Sequence, residues 1–150
     1  MSRTSSAEDA AIDFAYQLKA LVPALNAVLA EVFHPLGLSC VQADALMALE
    51  EVQPVTLGGL SGHLVAESGH PSRLITRLES MGLVRREASP HDGRASLLSL
   101  TAEGAAKAAA ARAARAPLAR ELGERHAGLA GLTEALRVLR QELEGATHRS

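Results

Sequence analysis

Apolar residues recur at helical spacing through the first third of the chain. Phe14, Leu18, Leu21, Leu25, Val28, Leu29 and Val32 fall mostly three or four positions apart, the period of one helix face. Ser6, with Asp9 three residues on, predicts the helix start. His34-Pro35-Leu36-Gly37 predicts its end. Pro23 lies inside the run and predicts a kink or a division, because it removes a backbone donor. Ser39 and Gln42 then have the form of a capping box. They predict a second helix to about Glu50, with Val41, Ala45, Leu46 and Leu49 inward. Pro54 breaks the chain, and Val55-Thr56 reads as a very short strand. Leu57, Leu60 and Leu64 mark a short third helix, weakened by Gly58, Gly59 and Gly62.

A turn around residues 66–69 leads to a fourth helix, from about Gly69 to Met81. Pro71 sits in its first turn, where a missing N–H costs nothing. Gly82 suits the position just past its end. Leu83–Glu87 and Ala95–Leu100 read as strands. Ser89-Pro90-His91-Asp92-Gly93 between them is turn-forming, so the pair reads as a β-hairpin. Thr101 can cap a fifth, alanine-rich helix to about Arg115. Pro117 predicts a kink there or a new segment. Leu129, Leu132, Leu136, Leu139 and Leu143 alternate spacings of three and four, a seam suited to packing against another helix. The pattern therefore predicts a mainly α fold with a small β-hairpin wing, a winged helix-turn-helix flanked by N- and C-terminal helices.

Composition changes this picture little. Hydrophobic residues make up 47% of the chain and aromatics 2%, so the core must be aliphatic. The net charge of −2 names no partner, but its distribution is uneven. Residues 1–51 carry two cations against seven carboxylates, whereas residues 68–94 carry five arginines against three carboxylates. Arginine pairs with phosphates and guanine edges through a planar fork. A single cysteine excludes an internal disulfide framework. No apolar run reaches the ~20 residues of a membrane span, and no basic-then-apolar signal opens the chain. A cytoplasmic protein without membrane association is expected. The six histidines show no paired ligand spacing, so no metal or other cofactor is expected. No Ser/His/Asp or paired-carboxylate arrangement stands out, so no enzyme is expected.

The fourth helix carries the chemistry. At 100° per residue, Pro71, Leu74, Ile75, Leu78 and Met81 cluster on one face. Ser72, Arg73, Thr76 and Ser80 lie opposite, with His70 and Arg77 at the flanks. A helix that reads a major groove needs such an anchored apolar side and a small, polar outer side bearing an arginine. Arg73 is expected at a base edge, with Ser72 and Thr76 at bases or phosphates and Arg77 at phosphate. His70 suits either. Ser68 and the first N–H groups of the helix suit phosphate. Arg94, past the hairpin turn, is expected in the minor groove, and Arg85 and Arg86 near the backbone. Asp92 is expected to position an arginine rather than to touch DNA. Cys40, in the first turn of the second helix, occupies a position that can lower a thiol pKa, although an inert buried thiol is the simpler expectation.

Thr56-Leu57-x-x-Leu60-x-x-x-Leu64, followed by Ser72-Arg73-Leu74-Ile75-x-Arg77-Leu78-Glu79-x-x-Gly82-Leu83-Val84-x-Arg86, resembles the MarR family of transcriptional regulators. Asp92-x-Arg94-x-x-x-Leu98-x-Leu100-Thr101 resembles that family's wing and wing exit. The match is close over residues 38–101. The chain departs from the family at Gly69-His70-Pro71 and at Glu67. The resemblance implies a single domain over residues 1–150, with the DNA-binding part at 38–101 and helical dimerisation parts at 6–36 and 102–145. It implies a homodimer on a pseudo-palindromic duplex, with half-sites about one helical turn apart. It also implies repression relieved by a signal, such as a small aromatic or amphipathic effector. Leu21, Leu25, Phe33, His34 and Met47 are the candidate lining of an effector pocket, with plain core packing as the alternative. The rival reading of the whole chain is a winged-helix module that binds protein and not DNA.

Overall fold

The computed structural model describes residues 6–64, 70–91 and 93–148. Among these the order is α1 (Ala7–Phe33), a 3-10 turn (His34–Leu36), α2 (Cys40–Val52), β1 (Val55–Thr56), α3 (Leu57–Ser61), α4 (Pro71–Ser80), β2 (Val84–Ala88), β3 (Ser96–Leu100), α5 (Ala102–Arg125) and α6 (Leu129–Thr147). The fold is mainly helical with a small antiparallel wing, as the pattern predicted. The chain divides into two compact units, Met1–Arg115 and Ala116–Ser150.

In the first unit α1 starts at the expected capping box. Ser6 Oγ accepts from the Asp9 N–H, and the Asp9 carboxylate accepts from the Ser6 N–H. Pro23 does not divide the helix, which runs unbroken to Phe33. One missing backbone bond is a local loss, and the turns on either side keep theirs. Most of the apolar stripe on α1 is not core. Phe14, Leu18, Leu21, Leu25 and Val28 are exposed, while Leu29, Val32 and Phe33 in its last turns pack inward. The helix outruns the core that could cover it.

Gly37, at φ +70°, ends the 3-10 turn. The Ser39–Gln42 capping box then starts α2. This helix buries Ala43, Ala45, Leu46, Met47 and Leu49. Val41, expected inward, is 42% exposed, because it falls just outside the arc that those residues sweep. The core joins Phe33, Leu46, Leu49, Leu60, Ile75, Leu78 and Leu98, all essentially free of solvent.

The sheet runs β1-β3-β2 and is antiparallel throughout. Val55 faces Leu98, and Val84 faces Leu100. The Gln53 side chain accepts from the Leu100 N–H at 2.8 Å and ties the end of α2 to the wing.

Two junctions fix the wing against the helices. Gly82, at φ +76°, closes α4. The Gly82 N–H donates to the Glu79 carbonyl, and the Leu83 N–H donates to the Leu78 carbonyl, the paired bonds of a Schellman end. Thr101 caps α5 by accepting from the Gly104 N–H at 3.0 Å, and its hydroxyl donates to the Gly82 carbonyl at 2.6 Å. Gly104 lies so close that a Cβ there would stand 1.9 Å from the Leu83 carbonyl oxygen.

Part of the acidic surplus of the first 51 residues is met by a cation of α5. Arg112 donates to the Met47 carbonyl and to Glu51, each at 3.1 Å, and lies 3.6 Å from Glu50. Lys107 donates to the Leu36 carbonyl at 2.6 Å. Cations satisfying the carbonyls and carboxylates at a helix end also complement its dipole.

Pro117, like Pro23, leaves its helix continuous, and no new segment starts there. In the second unit α6 carries the expected seam. Leu129, Leu132, Leu136, Leu139 and Leu143 are all exposed. Among the described residues, no single helix is long and apolar enough to cross a membrane.

Candidate nucleic-acid interface

The burial of α4 is one-sided. Leu74, Ile75 and Leu78 are buried, and Pro71 and Met81 are half-buried. Ser72, Arg73, Thr76, Arg77 and Ser80 are exposed and line one shallow hollow on the outer face. The hollow follows from the sequence, because three of its five residues are hydroxyl side chains that do not fill the space between the arginines. His70 caps the N-terminus through its backbone position, with no side-chain cap bond, and Pro71 follows it. The helix thus begins two residues later than Gly69. Ser68, expected at phosphate, lies outside the described residues, as does Asp92, expected to position the wing.

The hydroxyl of Thr76 is already engaged. It donates to the Ser72 carbonyl at 2.9 Å and accepts from Arg86 Nη2 at 3.1 Å. Arg86 Nε donates to Glu79 at 2.6 Å. Strand alternation explains the contact: Arg86 shares a face of β2 with buried Val84, and this face is turned to α4. Arg85 points the other way and pairs with Glu87 at 3.3 Å. The two arginines of the first wing strand therefore do not present a common surface. Glu79 was not singled out from the sequence. The available signal was its spacing of three from Thr76 on a helix that a strand must cross.

Arg94 is exposed where the wing returns. With Arg86, Thr56 and Leu57 it borders a second hollow, between α3 and the wing. The arrangement thus brings Ser72, Arg73, Arg77 and Ser80 to one helical face and Arg94 to the wing. It offers cations and small hydroxyl side chains, which suits an anionic, groove-bearing partner. Among the described residues no group of three or more His, Cys, Asp or Glu forms a metal site.

The expected effector lining does not converge. Phe33 and Met47 are core residues at 1% and 4% exposure, whereas Leu21 and Leu25 are 58% and 42% exposed, and His34 is exposed. The first pair serves packing, and the others sit on helix surface beyond the core. A groove of about 590 Å³ lies instead beside the 3-10 turn, lined by Leu36, Gly37, Met81, Leu83, Glu103 and Lys107 among others.

Cys40 stands in the first turn of α2, and its thiol donates to the Asn26 carbonyl at 3.5 Å. Burial pushes its pKa up, and the Asp44 carboxylate adds to the rise. The opposite direction, available at a helix start, is not realised.

Residues 38–96 match the model of the MarR family. A curated relative, the organic hydroperoxide resistance transcriptional regulator of Bacillus subtilis (strain 168), is 34% identical over 70 residues, which are 47% of this chain and 48% of that protein. The match thus spans about half the length of the curated relative. Among solved structures, a cysteine-to-serine mutant of MarR from E. coli complexed with operator DNA superposes with a TM-score of 0.77 at 25% identity, covering 90% of this chain and 99% of that one. The transcriptional repressor CouR, bound to a 23-mer DNA duplex, gives 0.71 at 22% identity, covering 84% and 91%. The latter likeness speaks to the fold alone.

Proposed function

We propose that this chain, whose residues 38–96 match the MarR family model, is a member of that family and a sequence-specific DNA-binding transcriptional regulator, a repressor, acting as a homodimer. The observation that carries the proposal is the outer face of α4, where Ser72, Arg73, Arg77 and Ser80 stand exposed above a buried apolar side. An aliphatic anchor and a short-chain, arginine-bearing surface are what a helix needs to enter a major groove about 12 Å wide. The similar E. coli protein is complexed with operator DNA on the same fold.

In this reading Arg73 reaches a base edge, and Arg77 and the α4 N-terminus, with His70, meet phosphates. Ser72 contacts base or phosphate, Ser68 supports the phosphate contact, and Asp92 orients Arg94 for the minor groove. One ten-residue helix reads few base pairs, so two copies on a pseudo-palindrome supply the rest. The apolar residues exposed on α1 and the leucine seam of α6 are the surfaces a second copy covers. Release by a small amphipathic effector completes the reading. The groove beside Leu36 and Lys107, mostly apolar with charges at its border, supports it.

The test begins by selecting duplexes from a randomised pool with the full chain, then measures binding by fluorescence anisotropy. Arg73→Ala should weaken the selected duplex by about 1–3 kcal/mol and relax preference at one base position. An unchanged affinity and an unchanged preference would overturn the assignment of α4 as the reading helix.

A further inference from the structure

Arg86 invites assignment as a phosphate contact, since it is a wing arginine beside a reading helix. The geometry points to a different role: we propose that Arg86, Glu79 and Thr76 form a clamp that sets the position of α4 against the wing, with Arg86 a positioning residue for DNA reading and Thr76 withdrawn from base contact. This rests on the reading of α4 as a DNA-binding helix.

Three observations support the clamp. The guanidinium is used from two sides: Nε meets Glu79 at 2.6 Å and Nη2 meets Thr76 Oγ1 at 3.1 Å. Glu79 and Thr76 are three residues apart on α4, so they present adjacent acceptors on one side of the helix. Arg86 lies in the middle of β2, opposite Leu98, where the strand is held on its other edge by β3. A planar fork rooted in a paired strand therefore grips two successive turns of the helix. A lysine, with one point of charge on a flexible stem, cannot span both acceptors.

Thr76 supplies the second half of the inference. Its proton goes to the Ser72 carbonyl at 2.9 Å, and a hydroxyl has only one proton to give. While it accepts from Arg86, it offers a base no donor and only one remaining lone pair. Sequence reading by the helix face then falls to Ser72 and Arg73. The clamp also explains a carboxylate so close to a surface meant for DNA. Alone, Glu79 would repel phosphate. Paired with Arg86 its charge is compensated, and its contribution becomes geometric.

The clamp and a simple phosphate contact make opposite predictions for Glu79. If Arg86 grips phosphate, removing the neighbouring carboxylate removes repulsion, and Glu79→Gln binds DNA more tightly. If Arg86 and Glu79 set the helix, Glu79→Gln binds more weakly, by roughly fivefold for a pair this exposed. Both residues are at the surface, so the variants are expected to fold, and a circular dichroism melt of each verifies this.

The experiment titrates the wild-type chain, Glu79→Gln, Arg86→Ala, Arg86→Lys and the double variant Glu79→Gln/Arg86→Ala onto one duplex selected by the wild type, across a salt series. The clamp predicts that Glu79→Gln and Arg86→Ala each weaken binding and that the double variant is no weaker than either. It predicts that Arg86→Lys fails to rescue and that the salt slope is unchanged. Tighter or unaltered binding by Glu79→Gln would overturn it. So would additive losses, rescue by lysine, or a salt slope reduced by about 1.8 in Arg86→Ala, the signature of one lost phosphate contact in each of two copies. Absence of salt-dependent binding by the wild type would instead overturn the DNA-binding reading, and the clamp's role in DNA reading with it.

Discussion

Two side chains in α2 show how position alone misleads about chemistry. Cys40 occupies the first turn of a helix, where a thiolate is favoured, yet burial and Asp44 raise its pKa. A protonated thiol is a poor nucleophile. Treatment with an organic hydroperoxide should therefore leave DNA binding by the full chain unchanged, as read by anisotropy before and after exposure. Loss of binding that a thiol reductant restores would show that Cys40 is oxidised after all. Asp44 shifts the same way, because its own burial outweighs the attraction of Arg115. A carboxyl whose pKa is higher folded than unfolded destabilises the fold when ionised. That penalty is complete above the folded pKa and fades as pH falls toward the unfolded value of 3.8. Asp44→Asn should accordingly melt at a slightly higher temperature at pH 7. Asp44 is only half-buried, so solvent screening holds the gain well under about 1 kcal/mol. The difference from wild type should shrink near pH 3. A lower melting temperature at pH 7 would show that the pairing with Arg115 dominates.

At the scale of elements, apolar periodicity and caps located most of the helices of this chain. Ser6, Ser39 and Thr101 each cap the helix that their spacing predicted, because a capping bond is made between residues three apart and needs no distant partner. What the pattern could not say was which apolar residues meet a core. Leu21 and Leu25 repeat at helical spacing just as Leu46 and Leu49 do, but only the second pair has elements packed over it. Pro23 and Pro117 each predicted a kink or a division, and the helices run through both without division. Contacts between elements were equally hidden. The fork of Arg86 and the close approach at Gly104 join residues whose partners are set by the crossing of strand and helix. Gly104 gives the sharpest test. A Cβ there would collide with the Leu83 backbone, and the helix start or the wing exit must shift to admit it. Overpacking of this kind costs about 1–3 kcal/mol, and contact with backbone places Gly104→Ala at the upper end. Thermal or urea unfolding of this variant should show that loss, although alanine is the better helix former. A more stable Gly104→Ala would contradict the close approach.

At the scale of the whole molecule, Thr101 and Gly82 fix the wing, buried leucines hold α4, and Arg73, Arg77 and Arg94 are exposed. Each unit also leaves apolar side chains exposed: α1 shows Ile12, Tyr16 and Leu21 at 60%, 74% and 58%, and α6 shows Leu132 and Leu143 at 58% and 69%. Exposed apolar surface of this kind marks association, and the proposed homodimer would double the number of cations brought to DNA. In the proposed reading, Arg73, Arg77 and Arg94 from each of two copies would bring six cations to DNA, which sets a limit of about −5 on the log–log salt slope if each neutralises a phosphate. The most direct measurement is a stoichiometric titration of the full chain onto a selected duplex, repeated over a range of salt concentrations. Two chains per duplex and a negative slope no steeper than that limit are expected. One chain per duplex, or binding indifferent to salt, would contradict the proposal.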